Sequence, residues 1–290
     1  MDLLQKIDDY ILGYMDRNSF FQVYSFSNEN IRAYTKFFDL KKGSLCTVGS
    51  SGDQAINAKV AGCRDIVIYD ICPLTESYTY LKLAAQQTLG RKELFMFLNG
   101  RDYSYGAYRS PSFLNPITFK TVEEKLKRIN YDAFQIWQTI AYKYPQEDIE
   151  KLFRKDDKSF PEIVRCNNYM RNDHAYNKAR KALEEINIKF VTDDIKELKT
   201  EKEFKTIWLS NVAHHLEPED ITQMAKNCSA HLAPGGKMLV CYFWQSGRNI
   251  RGKSIEQLSE LKVEEKTIRG AEGIFTKDSI YVYTRKARSI

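Results

Sequence analysis

The chain has 290 residues, 43% of them hydrophobic and 28% charged, which is the balance of a soluble globular protein and excludes a disordered or fibrous one. No run of about 18 apolar residues occurs, so no membrane-spanning helix is expected, and the acidic, amphipathic start MDLLQKIDDYILGYMD lacks the regions of a signal peptide. A net charge of +6 is modest for this length; it does not by itself imply nucleic acid and suits phosphate-bearing substrates or an anionic surface.

The length is enough for one large α/β domain over 1–290, with room for an insertion. The six cysteines form no C-x-x-C pair and the four histidines complete no metal spacing, so no metal is expected. The thiols read as small buried residues in a reducing, cytoplasmic compartment.

In chain order, Leu3, Leu4, Ile7, Ile11, Leu12 and Met15 fall at helical spacing, and residues 1–23 read as a helix broken near Asn18-Ser19. A second helix is expected over IRAYTKFFDL, residues 31–40, capped by Ser27 or Asn28 and ended by Lys41-Lys42-Gly43. This segment either covers a bound cofactor or simply packs.

The stretch from Ser44 to Pro73, SLCTVGSSGDQAINAKVAGCRDIVIYDICP, carries the chemistry. An apolar run over Leu45–Val48 breaks into Gly49-Ser50-Ser51-Gly52, a helix-compatible segment follows, and a second apolar run over Ile66–Tyr69 ends on Asp70. This is strand, glycine turn, helix, strand, acid, half of a dinucleotide-type binding unit. Gly49 and Gly52 let the backbone turn tightly and approach a ligand. A carboxylate at Asp70, followed by Ile71, can accept both hydroxyls of a ribose. The glycines are not G-x-G-x-x-G, and Asp53 would repel a pyrophosphate, so a nucleoside cofactor without phosphates fits better; S-adenosylmethionine (SAM) is the usual one. The competing reading is an ordinary β-α-β turn with no cofactor.

Beyond Pro73, a helix over LTESYTYLKLAAQQTLG buries Tyr78, Leu81, Leu83, Ala84 and Ala85 and stops at Gly90, and Arg91–Leu98 stays helical. From about 99 to 165 the β/α rhythm disappears in an aromatic-rich, partly basic stretch with helices expected at 121–143 and 147–155; it reads as an insertion capping the substrate side, or as plain core. HAYNKARKALEEIN is an amphipathic helix with Asp173 as its cap. Strand three, Ile188–Val191, ends on Asp193 and Asp194, which either accept the adenine amine or cap the following turn. Strand four, Phe204–Ser210, runs into Asn211, His214 and His215. Pro218 opens a helix, and Ala233-Pro234-Gly235-Gly236 turns into strand five, KMLVCYFW. Residues 261–268 and 279–284 supply two final strands.

These ordered elements resemble the class I SAM-dependent methyltransferases. The resemblance implies a Rossmann-like α/β fold, with a seven-stranded, mostly parallel sheet and the helical insertion before strand three. The segment from Asp70 to Leu98, with Leu81-Lys82-Leu83-Ala84-Ala85, and Leu209-Ser210-Asn211 after strand four are similar to the family of S-adenosylmethionine:diacylglycerol 3-amino-3-carboxypropyltransferases. Cys72-Pro73 stands where that family has asparagine-proline, and Tyr24-Ser25-Phe26-Ser27-Asn28 replaces its tryptophan-containing element. The resemblance implies SAM held by Gly49, Ser50, Ser51, Gly52, Asp53, Asp70, Ile71, Asp193, Asp194, Ser210 and Asn211. Tyr24, Arg171 and His174 are candidates for the acceptor, a small molecule or lipid, with nucleic acid not favoured. His214 and His215 are the candidate bases, because histidine titrates near neutrality. Three functions stay open: aminocarboxypropyl transfer, methyl transfer to a small molecule, lipid or RNA, and a non-catalytic SAM-fold binding protein.

Overall fold

A computed structural model describes residues 3–11, 22–41, 43–99, 113–154, 159–185, 187–242, 260–270 and 277–286. The apolar runs form strands β1 (Ser44–Val48), β2 (Asp65–Tyr69), β3 (Ile188–Val191), β4 (Phe204–Trp208), β5 (Leu232–Tyr242), β6 (Leu261–Arg269) and β7 (Lys277–Arg285). They make a seven-stranded sheet in the order β3-β2-β1-β4-β5-β7-β6. β1 to β5 pair in parallel, and β7 runs antiparallel between β5 and β6. This is the expected Rossmann-like sheet of the class I methyltransferase fold. Its central strands read as unbroken apolar runs because both faces are covered, and in β1 and β2 every residue after the first is buried.

Contacts divide the chain into two units. The sheet unit comprises Glu29–Val48, Gln54–Asp70 and Ile186–Ile290. Its core gathers Cys46, Val67, Ile207, Leu209, Met224, Cys228, Met238, Val240 and Tyr281. The α-helix α2 (Ile31–Tyr34) and a 3₁₀ turn over Thr35–Phe37 precede β1, α3 (Asp53–Val60) follows it, and α11 (Pro218–Ala230) precedes β5.

The helical unit comprises Met1–Asn28, Gly49–Asp53 and Ile71–Glu185. It holds α1 (Leu3–Ile11), α4 (Leu74–Thr88), α5 (Arg91–Asn99), α6 (Pro116–Ile129), α7 (Tyr131–Lys143), α8 (Gln146–Ile149), α9 (Phe160–Cys166) and α10 (Asp173–Ala182). α4 packs on α6 and α7. Rings carry much of this packing, with Tyr78 5.9 Å from Trp137 and 5.4 Å from Phe153, centre to centre. Val23 forms a parallel bridge to Phe153, closed by Val23 N–H to Leu152 O at 3.0 Å and Arg154 N–H to Val23 O at 2.9 Å.

Several boundaries differ from expectation. The helix expected over 121–143 is two, because Asn130 adopts an extended φ of −156° and its side chain caps α7 at Ala133 N. Asn172, not Asp173, caps α10, and Asn30, not Ser27 or Asn28, caps α2. The 31–40 helix shortens to one α turn and one 3₁₀ turn. The helix expected at 147–155 is α8 followed by a 3₁₀ turn over Glu150–Leu152. β4 ends at Trp208, with Ser210 already in the left-handed region. Gly235-Gly236 sits inside β5 as a bulge, where the register to β4 shifts between Phe204 and Thr206. A side chain at Gly236 would meet Ala233 O at 2.7 Å. The N-terminal helix is described over α1; residues 12–21, with the break expected near Asn18-Ser19, lie outside the described residues, as do 100–112 of the insertion.

Candidate functional site

In the sheet unit, strand order reverses between β1 and β4, since β2 and β3 lie on one side of β1 and β4 and β5 on the other. Open α/β sheets bind ligands outside the carboxyl ends of the strands at such a point. Five of the expected residues follow the strands on that edge. Asp70 follows the buried end of β2, is itself half-buried, and its N–H reaches Val191 O at 3.1 Å. The N-cap position of α4 is held by Pro73. Asp193 and Asp194 follow β3. Asp194 Oδ1 accepts from Lys196 N–H at 2.9 Å, the capping alternative foreseen, while Asp193 is exposed and its Oδ1 accepts from Asp194 N–H at 2.8 Å.

Ser210 and Asn211 follow β4 on the same edge. Ser210 is buried with φ of 55°, a conformation that costs a non-glycine residue about 1–3 kcal/mol and concentrates at ligand sites. Its carbonyl accepts from Cys241 N–H at 2.8 Å, and its hydroxyl donates to Asn211 Oδ1 at 3.3 Å. That fixes the loop to β5 and leaves the Asn211 amide on the edge. His215 is exposed in the 3₁₀ turn Val212–His215; the side chain of His214 lies outside the described residues.

In the helical unit, Gly49–Gly52 is a tight turn closed by Gly52 N–H to Gly49 O at 2.8 Å. Ser50 takes φ of 49° and Gly52 φ of 75°. Gly52 is required twice over, because a Cβ there would also stand 2.9 Å from the Thr79 side chain. Asp53 is wholly buried and its acceptors are filled from inside the protein. Oδ1 receives Lys82 Nζ at 2.7 Å and Tyr169 OH at 2.6 Å, and Oδ2 receives Ser27 N–H at 2.7 Å and Ser51 Oγ at 3.2 Å. The carboxylate expected at the cofactor thus anchors the turn. Burial, then the adjacent Asp53 charge, pushes the Tyr169 phenol well up.

Sequence reasoning missed Lys82 and Tyr169. A lysine inside the face Tyr78, Leu81, Leu83, Ala84 and Ala85 was the available signal: a buried lysine demands an acid. Of the other candidates in this unit, Ile71 is 42% exposed, Arg171 and His174 are exposed at the start of α10, and Tyr24 is half-buried with its hydroxyl 3.2 Å from Arg154 Nη1. Among the described residues, no group of three or more histidine, cysteine, aspartate or glutamate side chains could hold a metal ion.

Residues 169–236 match the family model described as a methyltransferase domain. No curated protein matches this chain. Among solved structures, the chain is similar to the N-methyltransferase NodS from Bradyrhizobium japonicum WM9 in complex with S-adenosyl-l-homocysteine, at 10% identity over 98% of this chain and 99% of that one, with a TM-score of 0.44. It is similar to the glycopeptide N-methyltransferase MtfA, also complexed with S-adenosyl-L-homocysteine, at 10% identity over 96% of each chain and a TM-score of 0.47. Against magnesium protoporphyrin IX methyltransferase from Synechocystis PCC 6803 the identity is 10% over 98% of this chain and 79% of that one, with a TM-score of 0.38.

Proposed function

We propose that this chain is a SAM-dependent transferase. The carrying observation is the switch point between β1 and β4, flanked by the half-buried Asp70 at the end of β2 and by the strained Ser210. Asp70 suits the two ribose hydroxyls and Asp193 the adenine amine, with Ser210 and Asn211 on the same edge. In the helical unit the Gly49–Gly52 turn offers backbone, Ile71 offers an exposed apolar surface, and Asp53 acts as the turn's anchor. SAM supplies a sulfonium whose neighbouring carbon accepts an electron pair from the acceptor while the carbon–sulfur bond breaks and sulfur keeps its pair. The chain's part is to orient the reactants and exclude water. A histidine after β4, His214 or His215, would take the acceptor's proton.

Methyl transfer is the reading that the match of residues 169–236 to a methyltransferase domain supports. Aminocarboxypropyl transfer is the second reading, supported by the intact Leu81–Ala85 run on α4. The acceptor is proposed to be a small molecule or lipid, met by the 99–165 insertion with Tyr24, Arg171 and His174. No helix among the described residues is long and apolar enough to cross a membrane. The buried free thiols favour a reducing, cytoplasmic setting.

The test is titration calorimetry with SAM and S-adenosylhomocysteine, then product analysis with candidate amine, hydroxyl and lipid acceptors. S-adenosylhomocysteine as product supports methyl transfer and methylthioadenosine supports aminocarboxypropyl transfer. Absence of binding by either nucleoside overturns the proposal in favour of a non-catalytic module.

A further inference from the structure

Resting on the cofactor reading above, we infer that Lys82 is the positioning residue of the cofactor turn. Through it, α4 fixes the path of Gly49–Asp53 and of the segment Tyr24–Asn28. Thr75, Thr79, Lys82 and Gln86 recur at spacings of four and three, so they share one face of α4, and each is 2% exposed or less. A polar face buried this completely needs acceptors and donors inside the protein.

Lys82 finds three acceptors for its three N–H groups: Asp53 Oδ1 at 2.7 Å, Ser25 O at 2.9 Å and Ser51 O at 3.1 Å. The ammonium also stands 4.3 Å from the centre of the Phe26 ring. Two of these acceptors belong to the turn and one to the 24–28 segment. The carbonyls of Ser25 and Ser51 belong to no helix or strand, so buried they need a donor from elsewhere. Thr79, one turn away on the same face, sets the other limit by meeting any side chain at Gly52. Tyr78 OH gives Ser25 O a second bond at 2.7 Å, and Asp53 Oδ2 takes Ser27 N–H, so segment and turn are tied from both ends. Asp53 cancels the lysine's charge, and the pair adds shape to the turn without adding field.

A lysine that merely filled the core could be exchanged, with its acid, for neutral residues of like volume without changing the turn. The test uses the full chain as Asp53→Asn/Lys82→Met, in which no unpaired charge is left, alongside wild type. Hydrogen exchange read by mass spectrometry is expected to rise at least about tenfold in peptides over 24–28 and 49–53, the loss of roughly one charged hydrogen bond, with β1, β2 and β4 unchanged. S-adenosylhomocysteine is expected to bind about tenfold more weakly, while the melting temperature stays near wild type. Unchanged exchange in both segments, or a loss spread evenly over the strands, overturns the inference. If wild type itself binds neither SAM nor S-adenosylhomocysteine, the cofactor reading falls, and the exchange result still decides what Lys82 does to the turn. Should the double variant not fold, the wild-type ammonium signal of Lys82 decides by ¹⁵N NMR. Slow exchange with water and couplings to the Ser25 and Ser51 carbonyls support the inference; exchange as fast as that of surface lysines overturns it.

Discussion

The strand core around Cys46 and the cluster around Asp53 are equally buried but are held by different physics. Cys46, Ile207, Met238 and Val240 are fully buried apolar side chains on paired strands, and their polar atoms are satisfied by the sheet itself. Around Asp53, the backbone of a turn and of an irregular segment is satisfied by side chains, namely Lys82, Tyr78 and Asp53 itself, whose carboxylate also receives Tyr169 and Ser51. The first arrangement depends on volume and accepts a near match. The second depends on each donor meeting its acceptor, so it specifies one geometry and fails abruptly.

The hardest blow to this contrast is Asp53→Ala. It strands the Lys82 charge in a site with no exposure, and is expected to cost about 3–5 kcal/mol in urea denaturation. A cost near that of a simple cavity would erase the contrast. Alkaline titration comes next, with one sign in both regions. Burial pushes Cys228 up to about 12 from 9.0, and Tyr169 well above 10.0. Above their ordinary values the unfolded chain releases protons that the folded chain keeps, so this contribution to stability is whole below pH 9 and falls as pH rises toward 12. Because Asp53 helps hold the Tyr169 proton, Asp53→Asn is expected to lower the phenol's titration, read by ultraviolet absorbance, and to leave Cys228 alone.

Asp70→Ala tests an acid that belongs to neither core. It is half-buried at the end of β2, and stability should change by no more than about 1 kcal/mol while SAM affinity drops on the order of a hundredfold, the worth of a bidentate charged pair. Calorimetry and melting on the same sample separate the two, and unchanged affinity refutes the ribose role. The smallest effect belongs to Ile207→Val in the strand core, expected to cost about 0.5–1.5 kcal/mol with no change in SAM binding.

The parts of the fold that were legible in sequence are those set by short-range pattern. Leu45–Val48, Ile66–Tyr69 and Ile188–Val191 are apolar because both sheet faces are covered, and Asp70 stands out against its strand. The break at Asn130 was not read, although Asn130-Tyr131-Asp132 carries a cap signal, because apolar periodicity continues on both sides of it. The partners of Asp53 were not legible for a deeper reason. A carboxylate's partners come from wherever the fold brings donors, here residues 27, 82 and 169, and no local spacing encodes that meeting.

The hydrogen bond from Tyr169 to Asp53 joins residues 116 apart in the chain, and that distance is also a delay. At roughly 5–20 residues per second, about 6–23 s pass on the ribosome between the making of the carboxylate and of the phenol that completes its shell. Lys82 emerges first, so the charge is matched early while the turn stays incompletely held. Over the same interval β1 has β2 on one side and nothing on the other, since β4 begins at Phe204. The nascent chain therefore carries an open strand edge until β4 is made, and a turn that Lys82 can direct before Tyr169 exists to complete the carboxylate's shell.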